Sequence, residues 1–229
     1  MKFIKQPNSL ELSKINVDSN KVTHRHGILL PNTIRCIICG PSNCGKTNLV
    51  IGLLLHPDGL YFSNVYLYSK TIFQPKYIFL EKVMNLVSGL SYFKYHDNDE
   101  VLSPINAAQN SVIIFDDVAC ENQNNIRDYF AMGRHKNIDC FYLNQTYTKV
   151  PKQLIRDNAN LLILFKQDDV NLRHVYDEHV NTDMTWSQFR EMCSRVWKNE
   201  FSYLVINKDC QKNKGCYRMK FDTFINVDG

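Results

Sequence analysis

Short, continuous apolar runs separated by polar or glycine-bearing stretches set the rhythm of this chain. They are Thr33 to Cys39, Asn64 to Ser69, Tyr92 to His96, Ser111 to Asp117 (which ends in two acids), Asp139 to Gln145 and Asn160 to Phe165. Runs that are apolar without alternation belong to strands covered on both faces. Between them lie segments with helical character. Asn48 to Leu55 is apolar and stops at the breaker His56-Pro57-Asp58-Gly59, a helix is predicted over roughly Lys76 to Ser88, and another over Asn122 to Met132 with Gly133 at its end. Strands alternating with helices predict an α/β fold, a mostly parallel sheet flanked by helices. In the C-terminal third, Trp186, Phe189, Met192, Cys193 and Val196 are spaced for one buried face of a helix over Thr185 to Trp197. Two late strands, Phe201 to Ile206 and Cys216 to Phe224, flank a Lys-Asn-Gly turn region. Residues 1–27 are polar and irregular and read as an extended arm, with His24 and His26 in an exposed segment. Residues 28–229 read as one domain, with a core over 28–170 and an added C-terminal helix and strands over 171–229.

Composition refines this picture only at the margins. With 229 residues, 44% of them hydrophobic, the chain is long enough to bury a full core. No run approaches the ~18 consecutive apolar residues of a membrane span, and Met1 to Asn8 lacks the apolar stretch of a secretory signal. The expectation is an intracellular protein without a membrane partner. Several of the eight cysteines fall inside apolar runs, as reduced thiols do. Cys36-x-x-Cys39 has metal-site spacing, but on a strand the two side chains point to opposite faces. The net charge of +4 permits a nucleic-acid partner without arguing for one.

The chemistry enters at Gly40-Pro41-Ser42-Asn43-Cys44-Gly45-Lys46-Thr47, which spells G-x-x-x-x-G-K-[ST] between an apolar strand and a helix. Glycine at both ends lets the backbone turn tightly and approach phosphate without a Cβ in the way. The backbone from Gly40 through Asn48 then cradles the phosphates of ATP with its N-H groups, which every residue but Pro41 supplies. Lys46 reaches the β and γ phosphates, and the Thr47 hydroxyl goes to Mg2+.

Hydrolysis needs a second element, and the run ending in Asp116-Asp117 delivers two acids to the carboxyl edge of a parallel sheet, where open α/β folds bind ligands. There Asp116 is the candidate Mg2+ ligand and Asp117 the candidate general base. The next run ends at Gln145, whose amide offers both donor and acceptor to orient water or sense the γ phosphate. Arg134, in Gly133-Arg134-His135-Lys136, and Arg156 are the cationic candidates, one of them an arginine finger reaching a neighbouring subunit's nucleotide.

Taken in order, GPSNCGKT, IIFDD and GRHKNIDCFYLNQTYTKVPKQLIRDNANLLILFK resemble the poxvirus-type genome packaging ATPases of the FtsK-HerA superfamily, found in large DNA viruses and in Polinton or Maverick-like elements. The resemblance covers about residues 28–170. It implies an additional-strand, RecA-like P-loop NTPase fold with Lys46 and Thr47 on phosphate and metal, Asp116 on Mg2+, Asp117 catalytic and Gln145 as sensor. It further implies a hexameric or pentameric homo-oligomeric ring that translocates double-stranded DNA into a capsid, in the host cytoplasm or nucleus or with the virion. Lys149, Lys152 and Arg156 are then either DNA-gripping residues or a solvated loop. Many superfamily members carry Asp-Glu where this chain has Asp116-Asp117, so its second acid is about one methylene shorter. Two other readings stand beside the motor: a nucleoside or nucleotide kinase, and a nucleotide-binding assembly module without turnover.

Overall fold

The computed structural model describes residues 24–96, 101–118 and 123–228. Most of the expected arm and the start of the helix expected at Asn122 therefore lie outside the described residues. Strands β1 (Arg35–Cys39), β2 (Asn64–Ser69), β3 (Ser91–Tyr95), β4 (Ser111–Asp116), β5 (Ile138–Asn144) and β6 (Leu161–Leu164) pair in parallel. Strands β7 (Leu204–Asn207), β8 (Tyr217–Met219) and β9 (Thr223–Phe224) extend the same sheet antiparallel. The order across the nine-stranded sheet is β3-β2-β4-β5-β1-β6-β7-β8-β9.

Helices α1 (Lys46–Leu55) and α2 (Pro75–Asn85) cover one face, where Val50, Leu54, Leu80 and Met84 pack on Cys36, Ile38, Ile114 and Phe141. Helices α3 (Asn124–Met132), α4 (Asp169–His179) and α5 (Trp186–Val196) cover the other, where Tyr129, Val175 and Phe189 belong to the layer containing Ile37, Cys39 and Tyr142. Every residue of β4 and β5 is buried, which is why neither shows polar alternation. Cys36 and Cys39 fall in opposite layers, as their spacing on a strand requires.

The structure departs from the sequence reading at four places. Helix α4 was not expected, because its residues DVNLRHVYDEH are too polar to show a wide apolar stripe; its start is marked by Asp168, whose carboxylate accepts from the Asn171 N-H at 2.8 Å. The strand expected from Phe201 begins at Leu204, since Phe201 has φ 56 and cannot lie in a strand. The last expected strand is broken into β8 and β9 by Lys220, at φ 54. Finally, His26 is not part of an exposed segment but is 3% exposed, because it completes a buried polar knot.

That knot is centred on Asp139, fully buried one residue into β5. Its carboxylate accepts from the Ile34 N-H at 2.8 Å, pairs with Arg25 at 3.0 Å and lies 3.0 Å from His26 Nε2. Arg25 also donates to Asn110 and to the Asn137 carbonyl, which joins the loops before β1, β4 and β5. A buried carboxylate holding this many donors is costly to remove, because each is left without its partner. Asp139→Ala is expected to lower stability by about 3 kcal/mol, measured as a drop in the midpoint of urea unfolding at unchanged slope.

Candidate nucleotide site

The loop Gly40 to Thr47 leaves the carboxyl end of β1 and enters α1. Two of its positions demand glycine. Gly45 caps α1 at φ 110, and a Cβ on Gly40 would stand 2.6 Å from both Cys44 Sγ and Phe165 Cβ. Asn43, at φ 63, takes the left-handed conformation that a short polar side chain tolerates. No side chain caps α1, so the first N-H groups of the helix face the cleft as an anion site. The Lys46 ammonium lies over the loop, donating to the Gly40 carbonyl at 2.6 Å and the Pro41 carbonyl at 3.0 Å.

Across the cleft, Asp116 closes β4 and is buried, and Asp117 follows it exposed at φ 59. The Tyr77 hydroxyl, from α2, donates to Asp116 and accepts from Thr47. Burial pushes the Asp116 carboxyl above the ordinary carboxylate range, opposed by the Tyr77 hydrogen bond and by Lys46. Burial beside Asp116 also pushes the Tyr77 phenol well up, so it stays a donor.

Strand β5 lies between β1 and β4. Its last residue, Asn144, is buried and pins the corner: its backbone carbonyl accepts from Gly40 N-H at 3.2 Å, and its side chain bonds the Thr146 carbonyl and the Gln145 N-H. Gln145 is thereby held exposed at the cleft mouth. A cavity of about 190 Å³ is lined by Ser42, Asn43, Gly45, Lys46, Thr47, Asp116, Asp117 and Gln145, so the structure brings together the loop, the acids and the amide. Thr71 and Gln74, ahead of α2, and Lys76, in its first turn, line it too, and sequence reasoning missed them along with Tyr77. The signal available for them was Pro75, which marks a helix start.

The remaining expected site residues lie elsewhere. Pro41 contributes its carbonyl to Lys46, Cys44 turns into a separate recess beside Trp197, where burial raises its thiol, and Asn48 lines a neighbouring cavity on the far side of α1. Arg134 is exposed in the turn Gly133–Lys136 before β5. With 7 residues in β5, it stands about 23 Å from Gln145 along the strand and cannot reach its own chain's loop. Lys149 and Lys152 are exposed.

Arg156, expected as a finger or DNA-gripping residue, does not line this cavity. It is 8% exposed and donates to Glu178 Oε1 at 2.8 Å, with its guanidinium 5.1 Å from the centre of the Tyr147 ring. Tyr147 in turn donates to Glu178 Oε2 at 2.8 Å and lies 2.7 Å from His179 Nε2. Burial, with Lys208 and Arg156 nearby, lowers His179 to about 3, so it is neutral at physiological pH. In this chain the guanidinium is committed to Glu178 and Tyr147 rather than presented at the surface.

Among the described residues, no group of three or more His, Cys, Asp or Glu side chains is placed to hold a metal, and no helix is long and apolar enough to cross a membrane. A strand carrying a polar amide between the phosphate-loop strand and the acid strand defines an additional-strand P-loop NTPase. The chain belongs to the Poxvirus A32 protein family, whose model matches residues 21–226. Its fold is similar to the genome packaging NTPase B204 of Sulfolobus turreted icosahedral virus 2 in complex with ATPγS, at 14% identity over 86% of this chain and 100% of that one, with a TM-score of 0.56. The AMP complex of the same protein matches at 12% identity over 83% and 98%, with a TM-score of 0.58. B204 of Sulfolobus turreted icosahedral virus, a DNA-packaging ATPase, matches at 14% identity over 80% and 95%, with a TM-score of 0.56. No curated protein sequence matches the chain.

Truncating Arg156 leaves the half-buried Glu178 without its cationic partner, held by the Tyr147 hydroxyl alone. Arg156→Ala is expected to cost about 3 kcal/mol of stability while leaving ATP affinity within about twofold, read by denaturant unfolding beside equilibrium nucleotide binding.

Proposed function

We propose that this chain is an ATP-hydrolysing motor that translocates double-stranded DNA, packaging a viral or virus-like genome into a capsid. The observation that carries the reading is the insertion of β5 between β1 and β4, which sets Gln145 beside the loop and the acid pair on one cavity. Membership in the Poxvirus A32 protein family and the likeness to packaging NTPases support it. The kinase and the non-hydrolysing assembly module gain no comparable support.

In this reading the loop N-H groups and Lys46 hold the β and γ phosphates. Thr47 and Asp116 would hold Mg2+, and the residues fit: their oxygens share one Tyr77 hydroxyl, and the desolvated Asp116 carboxylate gains from a cation beside it. Such a site takes the rest of its ligands from phosphate and water, as Mg2+ prefers. When bound, the ion neutralises charge on the transferring phosphoryl group. Asp117, exposed at the cleft mouth, accepts the proton of the attacking water, and Gln145 orients that water. Arg134, placed at the opposite sheet edge from its own loop, serves the nucleotide of a neighbouring subunit in a homo-oligomeric ring. The grip on DNA is phosphate-directed, with Lys149 and Lys152 as its exposed cations.

ATP turnover is expected to rise on adding double-stranded DNA and to lose that stimulation as salt is raised. Lys46→Ala should abolish it in both conditions, whereas turnover indifferent to DNA, or γ-phosphate transfer to a nucleoside, would overturn the reading. Arg134 is tested by mixing. Arg134→Ala alone should lose roughly 10³-fold in turnover, and adding Lys46→Ala subunits, which carry an intact arginine, should restore part of it. No recovery in the mixture removes Arg134 from the finger role.

A further inference from the structure

Tyr77 ties together two residues that reach the cleft from distant parts of the chain. Its ring is 2% exposed and belongs to the layer containing Leu80 and Ile114. It does not line the nucleotide cavity, so it stands behind the groups that do. A phenol buried this far needs partners for its hydroxyl. Tyr129, equally buried, finds one in the backbone, donating to the Leu102 carbonyl at 2.7 Å. Tyr77 instead bonds the side chains of Asp116 and Thr47, the two candidates for holding Mg2+.

The direction of the two bonds matters. Thr47 gives its only proton to the Tyr77 oxygen, and a hydroxyl then still has its lone pairs to offer a cation. Tyr77 gives its own proton to Oδ2 of Asp116, which leaves Oδ1 for a cation or for a water bound to one. A Thr47 hydroxyl free to rotate would turn its proton into the cavity part of the time, where it repels a cation. An Asp116 carboxylate with neither oxygen held would be free to turn about its own axis. Both bonds end on one oxygen atom, so the bridge also fixes how far apart the two ligands stand. Tyr77 is itself held: it lies in the first turn of α2, where its N-H donates to the Gln74 carbonyl at 3.0 Å. Groups that orient a metal's ligands in this way set its affinity although they never touch it.

We infer that Tyr77 is a positioning residue for the metal: its hydroxyl presents the Thr47 lone pairs and one Asp116 oxygen to the cavity as a matched pair of Mg2+ ligands. The inference rests on the proposed reading of the cavity as a Mg2+ and ATP site, and it adds the group that sets how tightly the metal is held.

The test is calorimetric binding of ATP to the full chain, with Mg2+ titrated in and with Mg2+ removed by chelation. The parent is compared with Tyr77→Phe, which keeps the ring and removes the hydroxyl. The Mg2+ concentration that gives half of the metal-dependent tightening should rise about tenfold in Tyr77→Phe. Metal-free ATP binding should stay unchanged, and excess Mg2+ should restore the parent affinity. ATP weakened equally with and without Mg2+, or an unchanged Mg2+ requirement, overturns the inference. The same substitution is made on Asp116→Asn, where no buried charge is left bare. There the Mg2+ requirement should still rise, through Thr47, but by less than in the parent, because residues in contact are not additive. No rise in that background, or one as large as in the parent, overturns the bridge. Failure of the underlying reading looks different: the parent itself would then bind no ATP, or bind it with no response to Mg2+, and the inference falls with it.

Discussion

The parallel register of β4, β5 and β1 is the constraint on which the site depends. Cys39 is paired with Asn144, and Asp116 with Leu143, so three chain segments reach the same sheet edge within a residue of one another. Two hydrogen bonds continue the ladder just past the strand ends, from Gly40 N-H to the Asn144 carbonyl and from Asp117 N-H to the Leu143 carbonyl. A slip of one residue in β5 would turn its buried side chains to the opposite layer and withdraw Gln145 from the cleft. The site is therefore as well fixed as the core, although Asp117 and Gln145 are exposed.

Register of this kind needs an anchor at the other end of the strands, and the buried Asp139 supplies it. It accepts from the Ile34 N-H, next to β1, and pairs with Arg25, which also bonds Asn110 ahead of β4. One carboxylate thus indexes the starts of the same three strands whose ends carry the chemistry. Apolar packing alone is non-directional and would leave neighbouring registers closer in energy. Polar burial costs stability in isolation, and here it is placed where it discriminates between alignments.

The sheet was legible because buried parallel strands read as uninterrupted apolar runs, and Ser111 to Phe115 is such a run. The loop was legible because its glycines answer a local backbone demand, visible at Gly45 as φ 110. What escaped was set by partners distant in sequence. His26 looks like an exposed residue until β5 brings Asp139 against it, and Arg156 looks like a surface cation until α4 delivers Glu178. Tyr77 gave no signal, since an aromatic in an amphipathic helix is normally core; only the fold turns its hydroxyl to Asp116 and Thr47. Helix α4 escaped for the complementary reason, that its stability comes from a cap and a few core contacts rather than from a continuous apolar face.

The same geometry ties the Gln145 amide to a rigid support. Gln145 is two residues from Tyr147, whose buried ring lies between Arg156 and His179 and whose hydroxyl holds Glu178. Thr148 is fixed by Asn171, which also bonds Asp168, the cap of α4. The segment that follows β5 is therefore bolted to α4 and to the turn carrying Lys152. A displacement of Gln145 cannot be absorbed by a loose loop, because close-packed, hydrogen-bonded groups transmit strain rather than dissipate it. Arg156 is part of that support: through Tyr147 and Glu178 it joins the segment after β5 to α4 and to the turn that carries the exposed Lys152.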